Sequence, residues 1–190
     1  MSDKAPLNLV ELIPEVSAIQ SADLRSMVEE IWNALWADSL YEDVMDVPVS
    51  ATIDYPQVKH CQGIVRSALA AASAFEQVHD VTFDRDLLIA GALLMDVGKL
   101  VEIKPGPSGP ARTEIGRLLP HAAYVAHVAL AKGAPLELVH IIMCHSPNGG
   151  KAPETLECKL LDSLDQADIG VFGFDIWSRK VVHFQPGGKR

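Results

Sequence analysis

The sequence predicts an all-α protein built as a single domain, a bundle of about six helices with an N-terminal helical extension. Apolar residues recur at helical spacing through several long stretches, and no stretch alternates convincingly with the two-residue period of a strand. Capping residues and Pro/Gly breakers bracket each stretch. The 190 residues suit one sizeable core, and no repeat, low-complexity run or compositional break divides them.

Residues 1–20 read as irregular, with Pro6 and Pro14 as breakers. Ser21 is placed to cap a first helix, in which Leu24, Met27, Val28, Ile31 and Leu35 share a face. Trp32 and Trp36 would pack that helix onto the core or onto a partner subunit. "MDVPVSATIDYP" reads as extended and loop-like. A second helix is expected from about Pro56 to Val78, since proline suits a first turn and alanine favours helix. A third follows the N-cap Asp84 and runs through "RDLLIAGALLMDVG", with Gly98 as its stop. "EIKPGPSGPARTEIG" reads as a loop that could cover a site. "HAAYVAHVALAK", ended by Gly133, and "PLELVHIIMCH", opened by Pro135, are the fourth and fifth helices. "SPNGGKAP" reads as a loop and "ETLECKLLDSLDQADIGVF" as the last strong helix. The expected organisation is an N-terminal extension over 1–54, a core over 55–172 and a C-terminal tail over 173–190.

Composition narrows the function classes. A net charge of -9 argues against an unaided nucleic-acid binder, because phosphate backbones need a cationic face; a short basic end, Lys189-Arg190, is the one local exception. Three cysteines without a CxxC pair suggest reduced thiols in a cytoplasmic protein. No signal peptide is evident and no apolar run approaches a membrane span.

Chemistry begins at Asp96. It stands among Leu93, Leu94, Met95 and Val97 in a helix apolar on all sides, which is normally buried. Either Asp96 reaches solvent or Lys99 from the last helical turn, or it is buried and needs a cation. Seven histidines are scattered along the chain, and each alone is more often a core or surface residue than a ligand. Asp162, Asp165 and Asp168 lie three apart on the last helix, either as a solvated stripe or with one carboxylate turned inward.

In order, His60, Met95-Asp96 followed by "VGK", His121, His145 and Asp165 resemble the signature of the HD-domain superfamily of metal-dependent phosphohydrolases. "LLIAGALLMDVGK" has the shape of that family's helix ending in a His-Asp doublet. "HAAYVAHVALAKGAPLELVHIIMCH" has the spacing of its histidine hairpin, and "CKLLDSLDQADIG" is similar to its closing helix. The resemblance covers about residues 55–170 and implies an HD-like helical bundle. It further implies that His60, Asp96 and Asp165 hold one divalent cation, Asp168 being the competitor of Asp165. Asp96 would bridge to a second cation held by His121 and His145. Imidazole and carboxylate suit Fe, Mn, Co, Ni or Zn, as one or two ions.

The implied activity is hydrolysis of a phosphate ester of a small molecule or nucleotide by a hydroxide held at the metal, with Asp96 and Lys99 as catalytic residues. The departure is Met95, which stands where the family has a ligating histidine; a thioether is a poor ligand for such ions. The first site then keeps fewer protein ligands, or is lost, or the protein binds without catalysis. The remaining Asp96, His121 and His145 resemble in composition the ligand set of iron-dependent oxygenases, so an oxygenase or a lyase/hydratase on the same scaffold is the alternative. Arg112 and Arg117 leave the Gly-Pro loop where an anion could meet them. The expected partners are a small-molecule substrate, no nucleic acid and no membrane, with a homo-oligomer open.

Overall fold

The computed structural model describes residues 4–145 and 151–184; "SPNGG" in the expected loop after His145, and the basic end Lys189-Arg190, lie outside them. The described chain is all-α, with two very short antiparallel hairpins. The long helices are α2 (Ala22–Asp38), α3 (Gln57–His79), α4 (Arg85–Leu94), α7 (His121–Ala131), α8 (Leu136–Cys144) and α9 (Leu156–Phe184). Shorter pieces are α1 (Leu9–Leu12), α5 (Lys99–Glu102) and α6 (Glu114–Leu118). One hairpin joins β1 (Pro48–Ser50) to β2 (Ile53–Pro56); the other joins β3 (Ile103–Lys104) to β4 (Ala111–Arg112).

The caps sit where the sequence puts them. Ser21 accepts a hydrogen bond from the Leu24 amide, Asp84 accepts one from Leu87, and Pro56 and Pro135 open α3 and α8. Ser21 and Asp84 each satisfy an amide that a helix start would otherwise strand, and the prolines supply a fixed φ. α4 is central and packs against α2, α3, α8 and α9, so Leu88 to Met95 are all buried. Trp32 pins α2 there by donating its indole N–H to the Leu93 carbonyl at 2.9 Å, and both Trp32 and Trp36 are buried.

Four readings change. Residues 1–20 are not irregular throughout: α1 and a 3₁₀ turn at Pro14–Ala18 bury Leu9, Ile13, Val16 and Ile19 in the common core. The 48–56 and 103–112 segments form hairpins too short to show alternation. α4 stops at Leu94, and Gly98 is not a left-handed stop; it has φ −61° and precedes α5. Finally, α9 continues through the expected tail to Phe184. Gly170 and Gly173 lie on this helix with open space around their Cα positions. Among the described residues no helix is long and apolar enough to cross a membrane.

Candidate metal centre

Four elements and the turn after α4 bring the polar candidates to one place. His60 comes from the first turns of α3, Asp96 from the Met95–Gly98 turn, His121 from the start of α7, His145 from the end of α8 and Asp165 from α9. The α7 approach depends on Gly98. A Cβ there would stand 2.8 Å from the His121 carbonyl oxygen and 2.8 Å from Val125 Cγ2, so a side chain would push His121 away from Asp96.

Asp96 is the hub, 8% exposed. Its Oδ1 lies 3.0 Å from His121 Nε2 and 3.8 Å from His145 Nε2, and its Oδ2 lies 3.2 Å from His60 Nε2. His60 Nε2 is also 3.2 Å from Asp165 Oδ1. The ligand-type atoms therefore fall into two groups that share Asp96: His60, Asp96 and Asp165, and Asp96, His121 and His145. Lys99 does not pair with Asp96; its Nζ meets Glu102 Oε2 at 3.2 Å.

All three imidazoles present Nε2 to the hub because Nδ1 is occupied. His60 Nδ1 bonds Asp168 Oδ2 at 2.8 Å and His145 Nδ1 donates to the Ile142 carbonyl at 2.9 Å. His121 Nδ1 lies 3.0 Å from Glu102 Oε2. With the ring proton on Nδ1, each Nε2 lone pair points at carboxylate oxygen, which is repulsive unless a cation or proton sits between. His121 Nε2, His145 Nε2 and Asp165 Oδ1 are buried without a hydrogen-bond partner among the described residues. This donor set fits divalent cations.

The protonation pattern of the metal-free protein has the same origin. Burial pushes His60 down, but the facing carboxylates of Asp165, Asp168 and Asp96 outweigh it and raise it to about 11. Burial likewise pushes His121 down, but Asp96 and Glu102 outweigh it and raise it above the ordinary histidine value. Asp96 is held well below the carboxylate range, burial being outweighed by His121, His60 and His145.

Of the three acids on α9, Asp165 faces the hub, whereas Asp168 backs the far nitrogen of His60. Asp162 accepts from Lys159 at 2.8 Å and from Gln166 at 2.8 Å within its own helix. Glu102 escaped the sequence reading. Its signal was present, an acid between Val101 and Ile103 in "LVEIK", but it fell at the edge of a segment read as loop. Met95 is 1% exposed and belongs to the hydrophobic core. His140 contacts Cys144 and the Glu154 amide instead of the hub. The three cysteines are free and buried.

Fold and site together define an all-α protein with two candidate metal-ligand groups joined by one aspartate. The chain is similar to proteins named 3'-5' exoribonuclease YhaM. It is 25% identical over 197 residues to that of Listeria welshimeri, covering 97% of this chain and 61% of the relative. It is 30% identical over 158 residues to that of Bacillus velezensis and 28% identical over 158 residues to that of Bacillus subtilis, each covering 76% of this chain and 48% of the relative. The chain thus spans less than two thirds of these relatives' length. No family model and no solved structure matches it.

These relatives overturn the expectation of no nucleic acid and a small-molecule substrate, because their name states action on RNA. The charge argument failed because net charge describes a whole surface, while a nuclease needs cations only where phosphate is handled.

Proposed function

We propose that the chain is a metal-dependent 3'-5' exoribonuclease of the HD type, hydrolysing phosphodiester bonds from the 3' end of RNA. The observation that carries this is the pair of ligand groups sharing Asp96 in a chain aligned over 97% of its length with a relative of that name. The relatives favour hydrolysis over the oxygenase, lyase and non-catalytic alternatives. Residues 55–172 form the metal-binding core of one domain, flanked by 1–54 and the continuation of α9. Its free, buried cysteines suit the cytoplasm.

In this reading His60, Asp96 and Asp165 hold one divalent cation of the Mn, Fe, Co, Ni or Zn type, and Asp96, His121 and His145 hold a second. Such cations, when bound, acidify water and offset phosphoryl charge. The protein's own part is orientation. Asp168, the Ile142 carbonyl and Glu102 set the three rings with Nε2 inward. Glu102 also holds Lys99, whose side chain is 14% exposed, at the edge of the centre where an incoming phosphate meets it.

The test is a 5'-labelled oligoribonucleotide incubated with the Mn²⁺-loaded full chain and resolved by gel. The expected result is a ladder shortening from the 3' end, abolished by Asp96→Asn, with nucleoside monophosphates released. Metal-replete protein that leaves the oligomer intact refutes the assignment.

A further inference from the structure

A cavity of about 460 Å³ opens beside the centre, and Lys99, Glu102, Arg112, Arg117, Pro120 and His121 are among its lining residues. Three of those six are cations, in a chain whose net charge is -9. The ligand groups do not use Arg112 or Arg117, yet local packing sets both in place. Pairing of Ile103 with Arg112 across β3 and β4 puts Arg112 Nε 4.0 Å from Glu102 Oε1. Thr113 then ties the next segment to α5: its hydroxyl donates to the Val101 carbonyl at 2.7 Å and its amide to the Glu102 carbonyl at 2.9 Å. A Cβ at Gly116 would stand 2.3 Å from that same Glu102 oxygen, so only glycine lets α6 lie this close and hold Arg117 over the opening.

The cavity's other features suit a nucleotide. Arg117 forms no ion pair among the described residues, while Lys99 and Arg112 share Glu102. α7 begins here with no acidic residue in its first turn and no side-chain cap, so its positive end adds to the arginines. Leu118 and Leu119 line the same cavity at 69% and 48% exposure, an apolar surface beside the cations. Single-stranded nucleic acid is held by this combination, cations along the backbone and an apolar face for the base.

We infer that this cavity takes the nucleotide next to the scissile bond, its phosphate between Arg112 and Arg117 and its base against Leu118 and Leu119. The inference rests on the exoribonuclease reading and adds a requirement to it: a good substrate carries a second phosphate. A diester with one phosphoryl group reaches the centre without using the arginines.

The experiment measures binding of 5'-fluorescein hexauridylate to the metal-free full chain by anisotropy across a salt series. It compares wild type, Arg112→Gln, Arg117→Gln and a control, Lys132→Gln. Lys132 lies past the far end of α7 and pairs with Glu30 at 2.7 Å. Each arginine variant should bind about tenfold more weakly and lower the salt slope by about 0.7, and the control should change neither. With Mn²⁺ added, the arginine variants should raise KM for the oligomer several-fold more than KM for bis(p-nitrophenyl) phosphate. If the control weakens binding as much as Arg117→Gln, general electrostatics replaces the subsite. If both arginine variants shorten RNA with wild-type KM, the subsite falls while the exoribonuclease reading stands. RNA neither bound nor shortened by wild type sinks both.

Discussion

In the metal-free protein His60 carries a proton that a cation must displace, so metal affinity should keep climbing with pH beyond the range of an ordinary histidine. Burial disfavours the charged ring, but Asp165, Asp168 and Asp96 outweigh it and lift His60 from 6.5 to about 11. One displaced proton changes apparent affinity about tenfold per pH unit below that value, hence about a hundredfold between about pH 7 and about pH 9. A ring at the ordinary value would give a nearly flat line there. His121 is raised too, so the slope is at least that of one proton. The assay is Mn²⁺ titration against a calibrated chelator at several pH values, with calorimetry in two buffers of different ionisation heat to count released protons. Flat affinity over this interval, or no proton release, refutes the reasoning. Asp168→Asn should flatten the rise by removing a carboxylate that stabilises the proton, and should lower affinity about tenfold or more at high pH, where ring orientation alone remains. The sign also fixes metal-free stability: the protonated ring contributes fully below about 6.5, and the contribution is lost as pH rises through about 11.

Gly98→Ala should lose about 1–3 kcal/mol in urea unfolding and weaken metal binding, because its Cβ meets His121 and Val125; a variant as stable as wild type contradicts the close approach. Glu102→Gln keeps the shape but removes the charge facing His121 and Lys99, and should cost about tenfold or more in Mn²⁺ affinity; unaltered affinity with an intact fold shows that His121 is oriented without it. Met95→His should raise metal content measured by elemental analysis if the thioether limits the His60 group; unchanged stoichiometry in folded protein removes that idea.

The helices were legible where local chemistry sets them. Ser21, Pro56, Asp84 and Pro135 mark starts because stranded amides or a fixed φ demand such residues at that point. Gly98 misled for a physical reason: glycine serves both left-handed turns and close approach, and only tertiary packing shows which need it meets. The pieces at 9–18, 48–56 and 103–112 are shorter than any window in which period can be counted. In the candidate site, an acid inside an apolar run singled out Asp96. The same sign at Glu102 was passed over beside a Pro/Gly-rich segment. Spacing could not separate Asp165 from Asp168, because residues three apart share a helix face; the two nitrogens of one imidazole separate them, Nε2 facing Asp165 and Nδ1 facing Asp168.

The same geometry explains why overall charge was a poor guide to substrate. The total of -9 counts Asp96, Glu102, Asp165 and Asp168 as ordinary surface acids. They are instead gathered around three imidazoles; two divalent cations held there, as proposed above, would bring four positive charges and leave little negative field for an approaching phosphate. In that state Arg112 and Arg117, which line the cavity at the rim, would face a centre already neutralised and not the whole acidic surface. Metal loading should therefore strengthen oligoribonucleotide binding as well as enable its cleavage. Anisotropy with Ca²⁺ or Mn²⁺ against chelator measures this on Asp165→Asn and wild type together. The gain should shrink in the variant, and equal RNA affinity with and without metal in wild type would falsify the argument.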